Sequence, residues 1–149
     1  MSLSTSVTPA APSSPSLSRR VLVWGVAVGA LQAAVPLALP WLEPATVQAL
    51  GLAVIAAIYI GFAVADGRPM VIAVEVAVAA LFVVVAALAV TGPAWLLVLG
   101  LAGHGAKDLW QHRTGFVTGT RWWPPFCCTV DFTVAPILAV LILTGAIGR

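Results

Sequence analysis

A histidine–aspartate–histidine series with a constant spacing of four residues is the strongest chemical pattern in the sequence. It reads His104-x-x-x-Asp108-x-x-x-His112, and residues four apart in an α-helix lie along one stripe. Because a carboxylate between two imidazoles can orient either ring and raise its basicity, the series predicts a proton relay or a row of ligands. An interior helix face with hydrogen-bonded histidines stays open as the alternative.

Three further acids stand in or at the end of otherwise apolar runs, namely Asp66, Glu75 and Asp131. If those runs are helices, Glu75 and Asp131 each lie about 9 Å from the same end of their segment, at about 1.5 Å per residue. Burying such groups is costly unless they have a partner or a task. We therefore predict an acid/base cluster. Its candidate catalytic residues are Glu75, His104, Asp108 and Asp131, with His112 and Asp66 in support.

The expected division of roles follows from the surroundings of each carboxyl group. A carboxyl group in apolar surroundings keeps its proton and can act as an acid near neutral pH, which is the role expected for Glu75 or Asp131. Asp108 is expected nearer to water, ionised and paired with a histidine. His104 with Asp108 would then serve as the base.

A metal ion is not required by these residues. Two histidines and up to three carboxylates could bind Zn, Fe or Mn, and the ligands would then be His104, Asp108 and His112. The His-Glu-x-x-His motif of metalloproteases is absent from the sequence. We therefore expect no metal and no other cofactor.

The segments that must position these residues are those of a membrane protein. Of 149 residues, 61% are apolar and 8% are charged, and the mean hydropathy is +1.07. A soluble domain has about 45–50% apolar and about 25% charged residues. A net charge of +2 argues against a basic nucleic-acid-binding face. Cys127 and Cys128 are adjacent, so they cannot staple distant segments together.

Five apolar runs are each close to the about 20 residues that a membrane-spanning helix needs. They predict an all-α bundle in a single domain of residues 19–149, with spans at about 21–42, 45–65, 69–90, 94–112 and 126–147. Residues 1–18 are rich in Ser, Thr, Pro and Ala, a composition typical of disorder. A four-span arrangement, with the fourth segment lying along the membrane surface, is the alternative.

The distribution of cations predicts the orientation in the membrane. Positive residues concentrate in cytoplasmic loops, and one side of the predicted bundle carries six of the seven Lys and Arg residues: Arg19, Arg20, Arg68, Lys107, Arg113 and Arg121. This places the N-terminus in the cytoplasm and the C-terminus outside the plasma membrane. Arg113 and Arg121 flank a loop that can contact anionic head groups, or that simply anchors at the interface through Trp122 and Trp123.

One stretch of the chain resembles a small bacterial, actinobacterial-type family of integral membrane proteins of unknown function. The stretch runs from Tyr59 to Asp131. It includes Tyr-Ile-Gly-Phe-Ala-Val-Ala-Asp-Gly-Arg up to Arg68, then Glu75, the His104–His112 series, Trp-Pro-Pro-Phe-Cys up to Cys127, and Asp131. The resemblance implies a membrane location and supplies no activity.

Three functions are compatible with this pattern. The first is an intramembrane enzyme that isomerises, cyclises or hydrates an apolar lipid or isoprenoid. The second is a structural or assembly protein whose polar cluster only fixes helix register. The third is a proton-coupled carrier or channel subunit. Membrane lipid is the expected partner, nucleic acid is not, and a homo-oligomer stays open.

Overall fold

The computed structural model describes residues 18–39 and 41–147 of the chain. Within these ranges the protein is all α, with five helices: α1 (Arg19–Ala38), α2 (Pro44–Asp66), α3 (Pro69–Thr91), α4 (Trp95–Thr114) and α5 (Trp123–Leu143). The predicted all-α class and the five predicted helices are confirmed. The predicted disordered tail lies outside the described residues except for Ser18.

Proline and glycine set most of the helix ends. Pro44 and Pro69 stand in the first turns of α2 and α3, where the missing N–H costs nothing. Gly67 and Gly115 close α2 and α4 in the left-handed conformation, with φ of 80° and 60°, which glycine adopts without strain. Helix α5 begins earlier than the predicted residue 126, because Pro124 and Pro125 start the helix rather than precede it.

Four of the described helices, α1, α2, α3 and α5, are long and apolar enough to cross a membrane. Large apolar side chains cover the outside of the bundle: Leu31 is 64% exposed, Leu81 61% and Leu99 67%. Such an apolar exterior is unfavourable in water and favourable in lipid. These helices are those of a membrane-spanning protein.

Helix α4 lies among the other helices. It packs against α5, α3 and α2, and its buried residues extend from Leu97 to Gln111, about 21 Å at 1.5 Å per residue. Gly105 lets α4 approach α5 closely, because a Cβ atom there would lie 3.1 Å from the Cβ of Asp131. Three polar residues of α4, His104, Asp108 and Gln111, are buried against neighbouring helices, whereas Arg113 and Thr114 at its end are exposed.

The α2–α3 turn and the α4–α5 loop lie at one end of the bundle. Asp66 accepts hydrogen bonds from both the backbone N–H and the hydroxyl of Thr118, at 2.8 and 2.7 Å. Arg68 donates to the backbone carbonyl of Phe116 at 2.6 Å. Helix α4 thus runs from the far end of α3 to this end of the bundle.

Candidate functional site

A fully buried histidine between two aspartates forms the centre of the polar cluster. His104 Nδ1 lies 2.8 Å from Asp131 Oδ2 on α5 and 3.5 Å from Asp108 Oδ2 on its own helix. All three residues are 0% exposed. The hydrogen bond between His104 and Asp131 joins α4 to α5 and holds the imidazole ring in one orientation.

A second polar group joins α3 to α4. The ammonium of Lys107 lies 2.8 Å from Glu75 Oε2, and the amide of Gln111 donates a hydrogen bond to Glu75 Oε1. Glu75 is 1% exposed, and its charge is balanced by Lys107. The carboxylate of Glu75 therefore has its own cation and is not paired with Asp131.

Aromatic rings enclose both groups. The ring of Phe82 lies 5.1 Å from that of His104, and the ring of Tyr59 lies 5.9 Å from it. Lys107 Nζ stands 3.3 Å above the centre of the Tyr59 ring, a cation–π contact. These rings surround the two groups with apolar surface, which strengthens the electrostatic interactions between the polar side chains.

Several polar atoms of the centre make no hydrogen bond within the described part of the chain. They include His104 Nε2, Asp131 Oδ1 and both carboxylate oxygens of Asp108. Buried polar atoms are nearly always hydrogen-bonded, so these atoms are available to a ligand, a proton or water. They belong to three of the four residues predicted to be catalytic.

All four predicted catalytic residues lie in the two buried polar groups, whereas the two supporting residues lie outside them. His112 is only half-buried, and Asp66 pairs with Arg68 at 2.6 Å at the end of the bundle. Its hydrogen bond to Arg68 raises the pKa of that guanidinium. Arg113 and Arg121 have exposed side chains, as an interfacial loop requires.

The departure of His112 from the stripe follows from helix geometry. At about 3.6 residues per turn, residue 112 lies about 80° around the helix from residue 104, whereas residue 111 lies within about 20°. Gln111 is accordingly 3% exposed and faces Glu75. Residues four apart share a face over one turn, from His104 to Asp108, but no longer over two turns, from His104 to His112.

The expected environment of Asp108 was wrong. It was expected near water, whereas its side chain is 0% exposed. The expected histidine partner is present, because His104 Nδ1 lies 3.5 Å from Asp108 Oδ2, while Lys107 pairs with Glu75.

Three residues of the cluster were not among the predicted site residues: Tyr59, Lys107 and Gln111. Lys107 was predicted only as a cytoplasmic cation, but its side chain is largely buried, with 12% exposed. The signal in the sequence was the i, i+3, i+4, i+7 set that starts at His104, which includes Lys107, Asp108 and Gln111. Tyr59 is the single tyrosine of the chain and stands in an apolar helix.

The residues that could hold a metal differ from those expected. Among the described residues, His104, Asp108 and Asp131 offer ligand atoms that all lie within 4.8 Å of one another. Asp131 thus takes the place that the sequence pattern assigned to His112. One imidazole and two carboxylates form a donor set suited to first-row transition cations.

Comparisons with known proteins add no family or activity. No protein-family model matches the chain, no curated protein matches it, and no solved structure matches it. The resemblance to a bacterial membrane family therefore stays a prediction. The class of the protein rests on its own features: a bundle of apolar, membrane-type helices with a buried histidine–aspartate centre.

Proposed function

We propose that the protein spans the plasma membrane five times, with the N-terminus in the cytoplasm and the C-terminus outside. Helix α4 has 20 residues, about 30 Å, which equals the thickness of a typical hydrocarbon core. Its lengthwise packing against α2, α3 and α5 supports a span over a helix lying on the surface. His104, Asp108 and Gln111, which lower its hydropathy, are buried where other helices cover them, and the exposed Arg113 lies at its C-terminal end.

A reporter that is active only outside the cytoplasm, fused after Arg149, is expected to be active. The reason is the odd number of spans combined with the six cations at the other side. The same reporter fused within the α2–α3 turn, after Gly67, serves as the control and is expected to be inactive. Activity of both fusions or of neither would reject this topology, and a cytoplasmic C-terminus would favour four spans.

We propose further that the buried centre is the active site of an intramembrane enzyme that performs acid/base chemistry. The observation that carries this proposal is the orientation of His104. Its Nδ1 is held by Asp131 at 2.8 Å, while its Nε2 has no hydrogen-bond partner among the described residues. A carboxylate that holds one ring nitrogen and leaves the other free is the arrangement that makes histidine an effective general base or acid.

The remaining residues have distinct roles in this proposal. Asp131 orients the imidazole, and Asp108 exchanges a proton with the substrate or with the hydroxyl of Tyr59. Glu75 and Lys107 form a neutral pair that keeps α3 in place beside the centre. Arg113 and Arg121 contact lipid head groups at the surface.

An apolar lipid or isoprenoid is the substrate class that fits these surroundings. The centre is flanked by Phe82 and Tyr59, and the bundle presents apolar side chains to lipid along its whole outer face. A substrate dissolved in the bilayer would reach the centre by parting two helices. Isomerisation or cyclisation of a carbon–carbon double bond needs only a proton donor and a proton acceptor, whereas hydration also consumes one water molecule.

Lipid extracts from a strain lacking the gene, compared with its parent by mass spectrometry, test this proposal. We expect one lipid to accumulate and a related one, isomeric or differing by one water, to disappear. Complementation with the unmodified gene should restore the pattern, whereas Asp131→Asn, expressed at the same level, should not. Unchanged extracts under all growth conditions that express the gene would reject the enzyme.

A structural role is the second candidate, and one observation favours it. Two buried polar contacts join neighbouring helices. Lys107 with Glu75 joins α4 to α3, and His104 with Asp131 joins α4 to α5. Buried polar groups can fix the register of packed helices. On this alternative, Asp131→Asn would lower the yield of folded protein. A variant that still folds would show no change in lipid composition.

A further inference from the structure

We propose that His104, Asp108 and Asp131 bind a divalent first-row transition cation. This inference does not depend on the proposed function. The binding itself follows from the geometry and charge of three buried side chains on two neighbouring helices. The sequence led to the expectation of no metal, because the His-Glu-x-x-His motif is absent, and it named His112 in place of Asp131 among the possible ligands.

The distances between the donor atoms match those of a coordination shell. Metal–ligand bonds to imidazole and carboxylate are about 2.0–2.2 Å, so neighbouring ligand atoms in tetrahedral or octahedral shells lie about 2.9–3.5 Å apart. His104 Nδ1 lies 2.8 Å from Asp131 Oδ2 and 3.5 Å from Asp108 Oδ2. These two distances are close to that range, and the ligand atoms of the three residues all lie within 4.8 Å of one another, so a shift of the carboxylates would let the three residues share one ion.

The charge of the centre also calls for a cation. Asp108 and Asp131 are both 0% exposed, and two carboxyl groups in an apolar interior are stable only when they are protonated or balanced by positive charge. Lys107 is the cation closest to them along α4, and it is committed to Glu75 at 2.8 Å. A divalent ion would balance both carboxylates at once and would take the position of the proton at His104 Nδ1.

The remaining polar atoms are placed to complete such a site. Asp131 Oδ1 and Asp108 Oδ1 make no hydrogen bond within the described residues, so either carboxylate can turn or bind through both oxygens. Water or a substrate oxygen would fill the other positions of the shell. One nitrogen and two oxygens favour Mn²⁺, Fe²⁺ or Zn²⁺ over Mg²⁺, which prefers oxygen ligands alone.

The full chain, purified in detergent and stripped with a chelator, is the protein to test. Titration with Mn²⁺, followed by the electron paramagnetic resonance signal of the free ion, is expected to give a single bound ion per chain. Zn²⁺ should displace it and Mg²⁺ should not. The thermal unfolding midpoint should rise with the Mn²⁺ concentration, because an ion that binds only the folded state stabilises it by mass action.

Asp131→Asn and His104→Gln are expected to weaken Mn²⁺ binding about tenfold or more, since even changes beside a metal ligand cost about 10–100-fold. His112→Gln and Asp66→Asn are the matched controls and should bind as the unmodified chain does. If a ligand variant does not fold, Asp108→Asn supplies the same comparison on the other carboxylate.

Two results would overturn the inference. The first is no Mn²⁺ or Zn²⁺ bound above the detergent blank, which would leave a hydrogen-bonded centre that holds only a proton. The second is binding that survives the ligand variants and is lost in a control. Failure of the enzyme proposal looks different: the purified chain would bind the ion while the lipids of the deletion strain stay unchanged.

Discussion

Lys107→Met is expected to lower the free energy of unfolding by about 3–5 kcal/mol, the cost typical of removing one partner of a buried ion pair. Methionine keeps much of the length and apolar surface of lysine, so the change removes mainly the charge. It leaves the Glu75 carboxylate, which is 1% exposed, with only the amide of Gln111 beside it. Equilibrium unfolding of the purified protein in detergent measures the loss.

The double variant Lys107→Met/Glu75→Gln is the decisive companion. It removes both charges and leaves two amides, at positions 75 and 111, that can hydrogen-bond to each other. We expect it to recover most of the stability that Lys107→Met loses, so that the double-mutant cycle gives a large coupling energy. Equal losses in the single and double variants would contradict the pairing.

Arg68→Met is the matched control for a cation at the surface. Arg68 pairs with Asp66 at 2.6 Å, but more than half of its side chain is exposed. An ion pair whose cation is exposed to water contributes less to stability than a fully buried pair, and the Asp66 carboxylate keeps its two hydrogen bonds from Thr118. We therefore expect a smaller loss than that of Lys107→Met. A loss as large as that of Lys107→Met would show that charge removal alone, and not burial, causes the effect.

His104→Gln is expected to lower the rate of lipid conversion by about 10²–10⁴-fold, the contribution typical of a general acid or base. Glutamine can still donate a hydrogen bond to Asp131, but its amide acts neither as a base nor as an acid near neutral pH. The measurement is conversion of the lipid that accumulates in the deletion strain, by purified protein reconstituted in vesicles of membrane lipid.

His112→Gln is the control for this comparison, since the same change is made two turns further along the same helix. It is half-buried and lies outside the group formed by His104, Asp108 and Asp131. We expect the His112 variant to convert the lipid at the unmodified rate and both variants to unfold at similar temperatures. Equal rates for the two histidine variants would remove His104 from the mechanism.

The sequence determined the class of protein and the composition of its polar centre. A chain with 61% apolar and 8% charged residues cannot cover a water-soluble surface, so its long apolar runs become helices whose exposed faces suit lipid. Burying an ionisable group within an apolar run costs free energy wherever that run lies in the fold. For this reason the sequence alone identified the four acid/base residues Glu75, His104, Asp108 and Asp131. Proline and glycine placed most helix ends to within a few residues.

Only the tertiary structure decided which groups are partners. Sequence spacing ranks neighbours along one helix, and there it selected His112, which the 3.6-residue turn carries away from the centre. The partners of His104 and Glu75 depend on how α3, α4 and α5 rotate and slide against each other. That packing places Asp131 beside His104, buries Asp108 and pairs Lys107 with Glu75. The physical reason is that a buried charge beside a partner has a lower free energy than a charge exposed to lipid.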